Sequence, residues 1–250
     1  MSIARRDLIV LLLAAAGGSV DAVVLLGFGV LTAAQTGNTI LLAVSLAQGR
    51  FTTGWHSAVS IAGYMTGAAL GELVIVARRV SASRLTPVGW TLLAEVAALG
   101  SLFISWRPAG PHPDARMSAI LVALAAVAMG LQSAAVLRLN AGPATTYVTG
   151  TLTTFATEAI RRLHLVEAAR PMAPEPHEPS GTTVSSADRH WIYGITWLVY
   201  AGGALASGRL YPSVGAAALI LPGAAILAVI VAGSLENRRP SHSCESAPAN

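Results

Sequence analysis

The chain has 250 residues, 54% of them hydrophobic and only 11% charged, with a formal net charge of +4. A soluble domain carries about 25% charged residues, so a water-facing globular fold is excluded and the lipid bilayer is the expected partner. The pI near 9.8 would suit a nucleic-acid binder, but the sixteen basic residues, all arginine, flank apolar runs instead of gathering on one face, so no nucleic acid is expected.

Residues 1–7 form a basic lead with Arg5 and Arg6, and 8–28 form the first apolar span. About 20 residues at 1.5 Å rise cross a ~30 Å hydrocarbon core. The basic start and Ala14-Ala15-Ala16 would also fit a cleaved leader, but the apolar run continues past the alanines and carries Asp21. Residues 29–35 are a polar break. Residues 37–48 predict a helix of about 12 residues, ~18 Å long, which is half a bilayer and so a half-helix. Thr36 is its expected cap and Gly49 its expected end. Spans two, three and four are predicted at 56–77, 85–106 and 117–139, with Pro87 in the first turn of the third. A second break follows at 140–149, a second half-helix at 150–163, and a Pro-, Glu- and Ser-rich loop at 166–188. Residues 191–210 and 214–235 are spans five and six, and 236–250 form a polar tail holding the one cysteine, Cys244.

Six alternating spans with a cytoplasmic amino terminus place twelve arginines inside and four (Arg50, Arg107, Arg116, Arg209) outside, the bias expected of a plasma membrane protein with both termini cytoplasmic. If either half-helix crossed fully, the bias would collapse.

The chain also repeats itself. Gly18 aligns with Gly130, Asp21-Ala22 with Ser133-Ala134 and Thr36-Gly37 with Thr149-Gly150, at offsets of 112 and 113. Tyr64-x-x-Gly67-Ala68 aligns with Tyr200-x-x-Gly203-Ala204 at offset 136, the jump being the extra length of the Pro-rich loop. Three crossings per half is odd, so the halves enter the membrane from opposite sides. The expected fold is an all-α integral membrane protein of six transmembrane helices plus two short half-helices, in two inverted three-span repeats at 1–107 and 108–235. Many secondary transporters are built this way, with their sites at discontinuous helices.

Two signatures carry a resemblance: Gly18-x-x-Asp21-Ala22 with Thr36-Gly37-Asn38, and Met129-Gly130-Leu131-Gln132 with Thr145-Thr146-Tyr147-Val148-Thr149-Gly150-Thr151. Together they resemble the YoaK-like family of bacterial six-span membrane proteins, a domain of unknown function, over roughly 8–235. Ser133 departs from it, standing where that family more often has Asn, which weakens any role for that side chain. The resemblance implies an integral inner-membrane protein and supplies no substrate.

Asp21 and Glu95 are the candidate proton- or ion-coupling acids. A charge at the centre of a span costs at least about 2.5–3.5 kcal/mol on insertion scales, so each acid must be paired, face a wet cavity or carry its proton. For Asp21 the alternative is a structural bond to the broken backbone of its own repeat. Glu72, nearer the end of its span, is expected to reach Arg78, Arg79 or interfacial water. The half-helix starts, Thr36-Gly37-Asn38 and Thr149-Gly150-Thr151, present free N–H groups that suit an anion, and Gln132, near the position equivalent to Asp21, is placed to complete a polar substrate site across the pseudo-two-fold axis. The bland reading of both starts is a sharp turn satisfied within the bilayer. Gly63, Gly67 and Gly71 form a close-packing stripe that joins either spans or two copies, which leaves a homo-oligomer open. The six histidines lie at span ends or in loops and no HExxH, GxSxG or CxxC occurs, so no enzyme, metal or cofactor is expected. The leading expectation is a small secondary transporter, proton-linked in one form, for an unidentified small solute. The alternative is a non-transporting membrane scaffold or assembly factor.

Overall fold

The computed structural model describes residues 3–78, 85–110, 113–139, 153, 156–157 and 190–236. The second break at 140–149, the half-helix expected at 150–163 apart from 153 and 156–157, the loop at 166–188 and the tail beyond Glu236 lie outside them. All regular structure among the described residues is helical. In chain order it comprises α1 (Ile3–Phe28), α2 (Gln35–Ala47), α3 (Phe51–Arg78), α4 (Pro87–Ala109), α5 (Ala115–Leu139), α6 (His190–Val214), one 3-10 turn (Gly215–Leu219) and α7 (Ile220–Glu236).

Local chemistry sets the helix ends. Gly29 (φ +72°) stops α1 and Gly49 (φ +68°) stops the chain just after α2, a left-handed conformation that costs glycine little. At α4, the Thr86 hydroxyl accepts from Gly89 N at 3.1 Å and Pro87 opens the first turn, where a missing N–H is harmless. α2 has 13 residues, about 20 Å, against 26 for α1 and 28 for α3. Five helical runs are long and apolar enough to cross a membrane: 6–28, 54–78, 87–109, 115–139 and 191–234. The last is divided at Gly215 (φ +54°), where α6 gives way to the 3-10 turn.

Contacts at the two ends of the bundle fix the helix directions. At one end the Phe28 ring meets His56 edge-on, with centroids 6.5 Å apart, and Trp106 at 4.7 Å, and Trp106 meets Tyr211 at 6.3 Å. So α1, α4 and α6 finish where α3 begins. At the other end Ile9, Thr86, Leu139 and Ser234 line one cavity of about 190 Å³, so α5 and α7 finish where α1 and α4 begin. α2 therefore does not carry the chain from one end to the other, because α3 starts at the end where α1 stopped.

α1 and α5 form the centre. Their apolar windows are 67% and 72% buried, against 28% for those of α3 and α4. Leu13, Val20, Leu102, Leu121, Met129 and Ile226 meet in the core between α1, α4, α5 and α7. The two most extensive pairings are α1 with α6 and α3 with α5, and both depend on glycine. A Cβ built on Gly18 would lie 2.0 Å from Tyr200 O, and one on Gly203 would lie 2.2 Å from Ala15 O. A Cβ on Gly130 would lie 2.2 Å from Tyr64 O, and one on Gly67 would lie 2.1 Å from Val127 O. Offset 112 links Gly18 to Gly130 and Ala15 to Val127, and offset 136 links Tyr64 to Tyr200 and Gly67 to Gly203. The two crossings therefore use equivalent residues on both sides. The Gly63, Gly67, Gly71 stripe faces Ala123, Val127 and Ala134 of α5, so it joins two helices of one chain.

Candidate functional site

The break between α1 and α2 is folded around Asp21, two turns before the end of α1. Because Gly29 turns the chain sharply, residues 31–34 come back alongside that carboxylate. Asp21 Oδ1 accepts from Thr32 N (2.6 Å), Ala33 N (2.7 Å) and the Thr32 hydroxyl (2.9 Å). Oδ2 accepts from Ala34 N (3.3 Å) and from the Tyr200 hydroxyl (2.5 Å), which arrives from α6. Asp21 is 3% exposed. Every partner is a donor, the pattern an acceptor-only carboxylate needs. The cap expected of Thr36 is not made: the residue before α2 is Ala34, without a side-chain cap, and Thr36 is exposed. The N–H groups leading into α2 are taken by Asp21 instead.

Asn38 completes the turn. Its Nδ2 donates to Leu31 O (2.6 Å), to Gln35 Oε1 (2.9 Å) and to Ser60 Oγ (2.9 Å), while its Oδ1 accepts from Leu31 N (3.0 Å). Ser60 Oγ, on α3, also donates to Leu31 O at 2.6 Å, and Gln35 Nε2 donates to Thr32 O at 2.7 Å. Gly37 sits against Leu31, whose Cδ1 would be 2.7 Å from an added Cβ. The bonds to Leu31 N, Leu31 O and Thr32 O satisfy non-helical backbone that lipid could not.

Gln132 lies one turn along α1 from this network. Its Nε2 donates to Leu13 O at 2.9 Å, and the Gln132 amide and the Tyr200 ring flank the same Gly17, at 3.4 and 3.8 Å from a built Cβ. Gln132, Tyr200 and Asp21 thus form one polar strip along α1. Ser133, the counterpart of Asp21, turns its hydroxyl to Met129 O of its own helix (2.8 Å). Thr149, Gly150 and Thr151 lie outside the described residues.

Glu95 is elsewhere and differently placed. It sits in the middle of the buried stripe of α4, between Leu92 and Leu99, with no solvent exposure. Neither carboxyl oxygen has a hydrogen-bond partner among the described residues. Glu72 is paired with Arg138 of α5, not with Arg78, which stacks 4.3 Å over Trp90.

Sequence reasoning singled out Asp21 and Asn38 but passed over Tyr200, Ser60, Gln35 and Thr32 as ligands of the break. Tyr200 left one trace, its place in the repeated Tyr-x-x-Gly-Ala, which marks an alignment of the two halves and not a donor.

Long apolar helices, and an irregular turn whose polar groups are satisfied from within, define a multi-pass membrane protein. Residues 9–232 match a family described as a protein of unknown function, DUF1275. The chain belongs to that family, in agreement with the YoaK-like resemblance. No curated protein and no solved structure matches the chain.

Proposed function

We propose that this protein is a small secondary transporter in the bacterial inner membrane, made of two inverted three-crossing halves, carrying an unidentified small solute with Glu95 as its proton-coupling acid. The carrying observation is the Glu95 carboxyl, buried at mid-span with both oxygens unbonded among the described residues. A group so costly to bury without partners is a functional device by default in a membrane. Two further features support the reading. The paired glycine crossings use equivalent residues of the two halves, and dividing the 191–234 run at Gly215 gives six crossings in all. An even number puts both termini on one face, and the arginine bias makes that face cytoplasmic. Asp21 on this reading is the staple of the break and not a mobile proton site, because its oxygens are taken by three N–H groups of the break and by the Thr32 and Tyr200 hydroxyls.

The full chain, reconstituted in liposomes with an internal pH-sensitive dye, tests the proposal against a panel of small organic anions, cations and sugars. The expected result is solute-dependent proton movement that Glu95→Gln abolishes. Solute flux that is unaltered in E95Q, or the absence of flux for the whole panel, would count against it. A second reading, a membrane scaffold, draws on the turn before α2, where the N–H groups of Thr32, Ala33 and Ala34 are already consumed by Asp21. It expects no flux and full tolerance of E95Q.

A further inference from the structure

One cavity lies away from both acids, at the end of the bundle opposite the amino terminus. It has a volume of about 520 Å³ and is bounded by the last turn of α4 and by the join from α6 through the 3-10 turn to α7. That is within the ~300–1,000 Å³ usual for small-molecule sites. Its floor is aromatic: Trp106, 4% exposed, packs on Phe28 at 4.7 Å and near Tyr211 at 6.3 Å. Gly27 makes room for this floor, since an added Cβ would meet the Trp106 ring at 2.8 Å and the Tyr211 hydroxyl at 3.1 Å.

Two polar groups converge on the same space. Arg107 lines it, with its guanidinium 5.5 Å over the Phe103 ring, and pairs with no carboxylate among the described residues. The Tyr211 hydroxyl also borders it and makes no hydrogen bond among the described residues. An arginine fork beside a phenol presents donors to an anion, and the indole and phenyl faces offer area to a flat apolar body. The rim is apolar, with Val214 and Ile220 exposed.

The geometry points to a binding site for a small anion joined to an apolar body, with the carboxylate or phosphate on Arg107 and Tyr211 and the apolar part on Trp106 and Phe103. This assignment is independent of Glu95 and of transport, and no step of it uses the Asp21 network. The anion could come from a dissolved aromatic acid or from a lipid headgroup, and the two are separable. The full chain in neutral detergent is titrated with radiolabelled benzoate in a scintillation proximity assay, with benzamide as the uncharged competitor. Saturable benzoate binding is expected, with Arg107→Gln weakening it about tenfold or more, the loss of one charge-assisted hydrogen-bond pair. Tyr211→Phe should weaken it about threefold to tenfold, and benzamide should compete poorly. Retention of phosphatidylglycerol over phosphatidylcholine, measured by native mass spectrometry, lost in R107Q and without benzoate binding, would assign the anion to a lipid headgroup. Benzamide competing as well as benzoate, R107Q leaving binding intact, or binding of neither probe would overturn the site. Arg107 is exposed at a helix end, so R107Q is expected to fold as the parent does.

Discussion

Asp21 and Glu95 are both carboxylic acids buried within apolar helices, yet their surroundings are opposite. Asp21 has five hydrogen bonds from four residues, while Glu95 has none among the described residues. The first ties together three separate pieces of chain, α1, the break and α6. The second lies between Leu92 and Leu99 on the buried side of α4. Burial alone does not separate the two acids; the number of donors around each does. An acid already saturated by backbone is part of the fold, and one buried bare carries a cost for which the fold has no use.

That contrast breaks most sharply at Asp21. Replacing it with alanine leaves Thr32, Ala33 and Ala34 N–H groups and the Tyr200 hydroxyl without their acceptor. At about 1–3 kcal/mol per stranded donor, and allowing for non-additivity, the loss should be roughly 4 kcal/mol or more. Most of the protein should then fail to elute as a single species from a sizing column. Asp21→Asn keeps one acceptor oxygen and should fall between. An Asp21→Ala protein as heat-stable as the parent would refute the staple.

The equivalent helix crossings come next. Gly18→Val and Gly130→Val each push a side chain into a carbonyl of the partner helix, and should each cost about 3 kcal/mol, at the upper end of ordinary overpacking. The two losses in melting temperature should match, because an added Cβ at either position would lie 2.0 to 2.2 Å from a tyrosine carbonyl oxygen. Gly202, beside the first crossing, meets nothing within 4 Å of an added Cβ, so Gly202→Ala should gain a few tenths to about 1 kcal/mol from helix propensity. Unequal effects at Gly18 and Gly130 would weaken the equivalence of the halves.

Glu95 completes the contrast with a change of opposite sign. Glu95→Leu removes a buried carboxyl that has no partner, and should raise stability by about 1–3 kcal/mol, the cost otherwise carried by an unsatisfied polar group. Thermal melting in detergent reads this directly. Destabilisation by Leu comparable to that of Asp21→Ala would mean that Glu95 is bonded after all, and would remove its difference from Asp21.

Much of this was legible in the sequence, for physical reasons. The apolar runs gave helix ends within a few residues, because capping by Thr86 and Gly29 is local chemistry. The short length of α2 followed from counting residues between Thr36 and Gly49. The glycine stripe at 63, 67 and 71 marked one close helix contact, since only glycine allows backbones that close, but nothing in the sequence showed that Gly18 and Gly203 make another. What the sequence could not show was who meets Asp21. Tyr200 is 179 residues away, and nothing local to α6 distinguishes a tyrosine that packs from one that donates. The cap of α2 was misplaced because Thr36 is the usual residue type at the usual position, but the helix starts a residue before it, at Gln35, with Ala34 in the capping position and Ala34 N held by Asp21. The cavity at Arg107 was invisible because it is made by helix ends that are far apart in the chain.

The smallest effect concerns a third acid, between the two extremes. Glu72 pairs with Arg138 across α3 and α5, but both side chains are about half in contact with their surroundings, 49% and 37% exposed. Such a pair holds two long side chains in one geometry against solvent or headgroup screening, so its net contribution is small. A double-mutant cycle of Glu72→Gln and Arg138→Gln should give a coupling of at most about 1 kcal/mol, falling further as salt is raised. The α3–α5 contact does not depend on it, because the close approach at Gly67 and Gly130 is set by backbone packing one to two turns away. A coupling several times larger and insensitive to salt would place this pair out of reach of water, and would make the degree of bonding around an acid a poorer guide to its role than its depth in the bilayer.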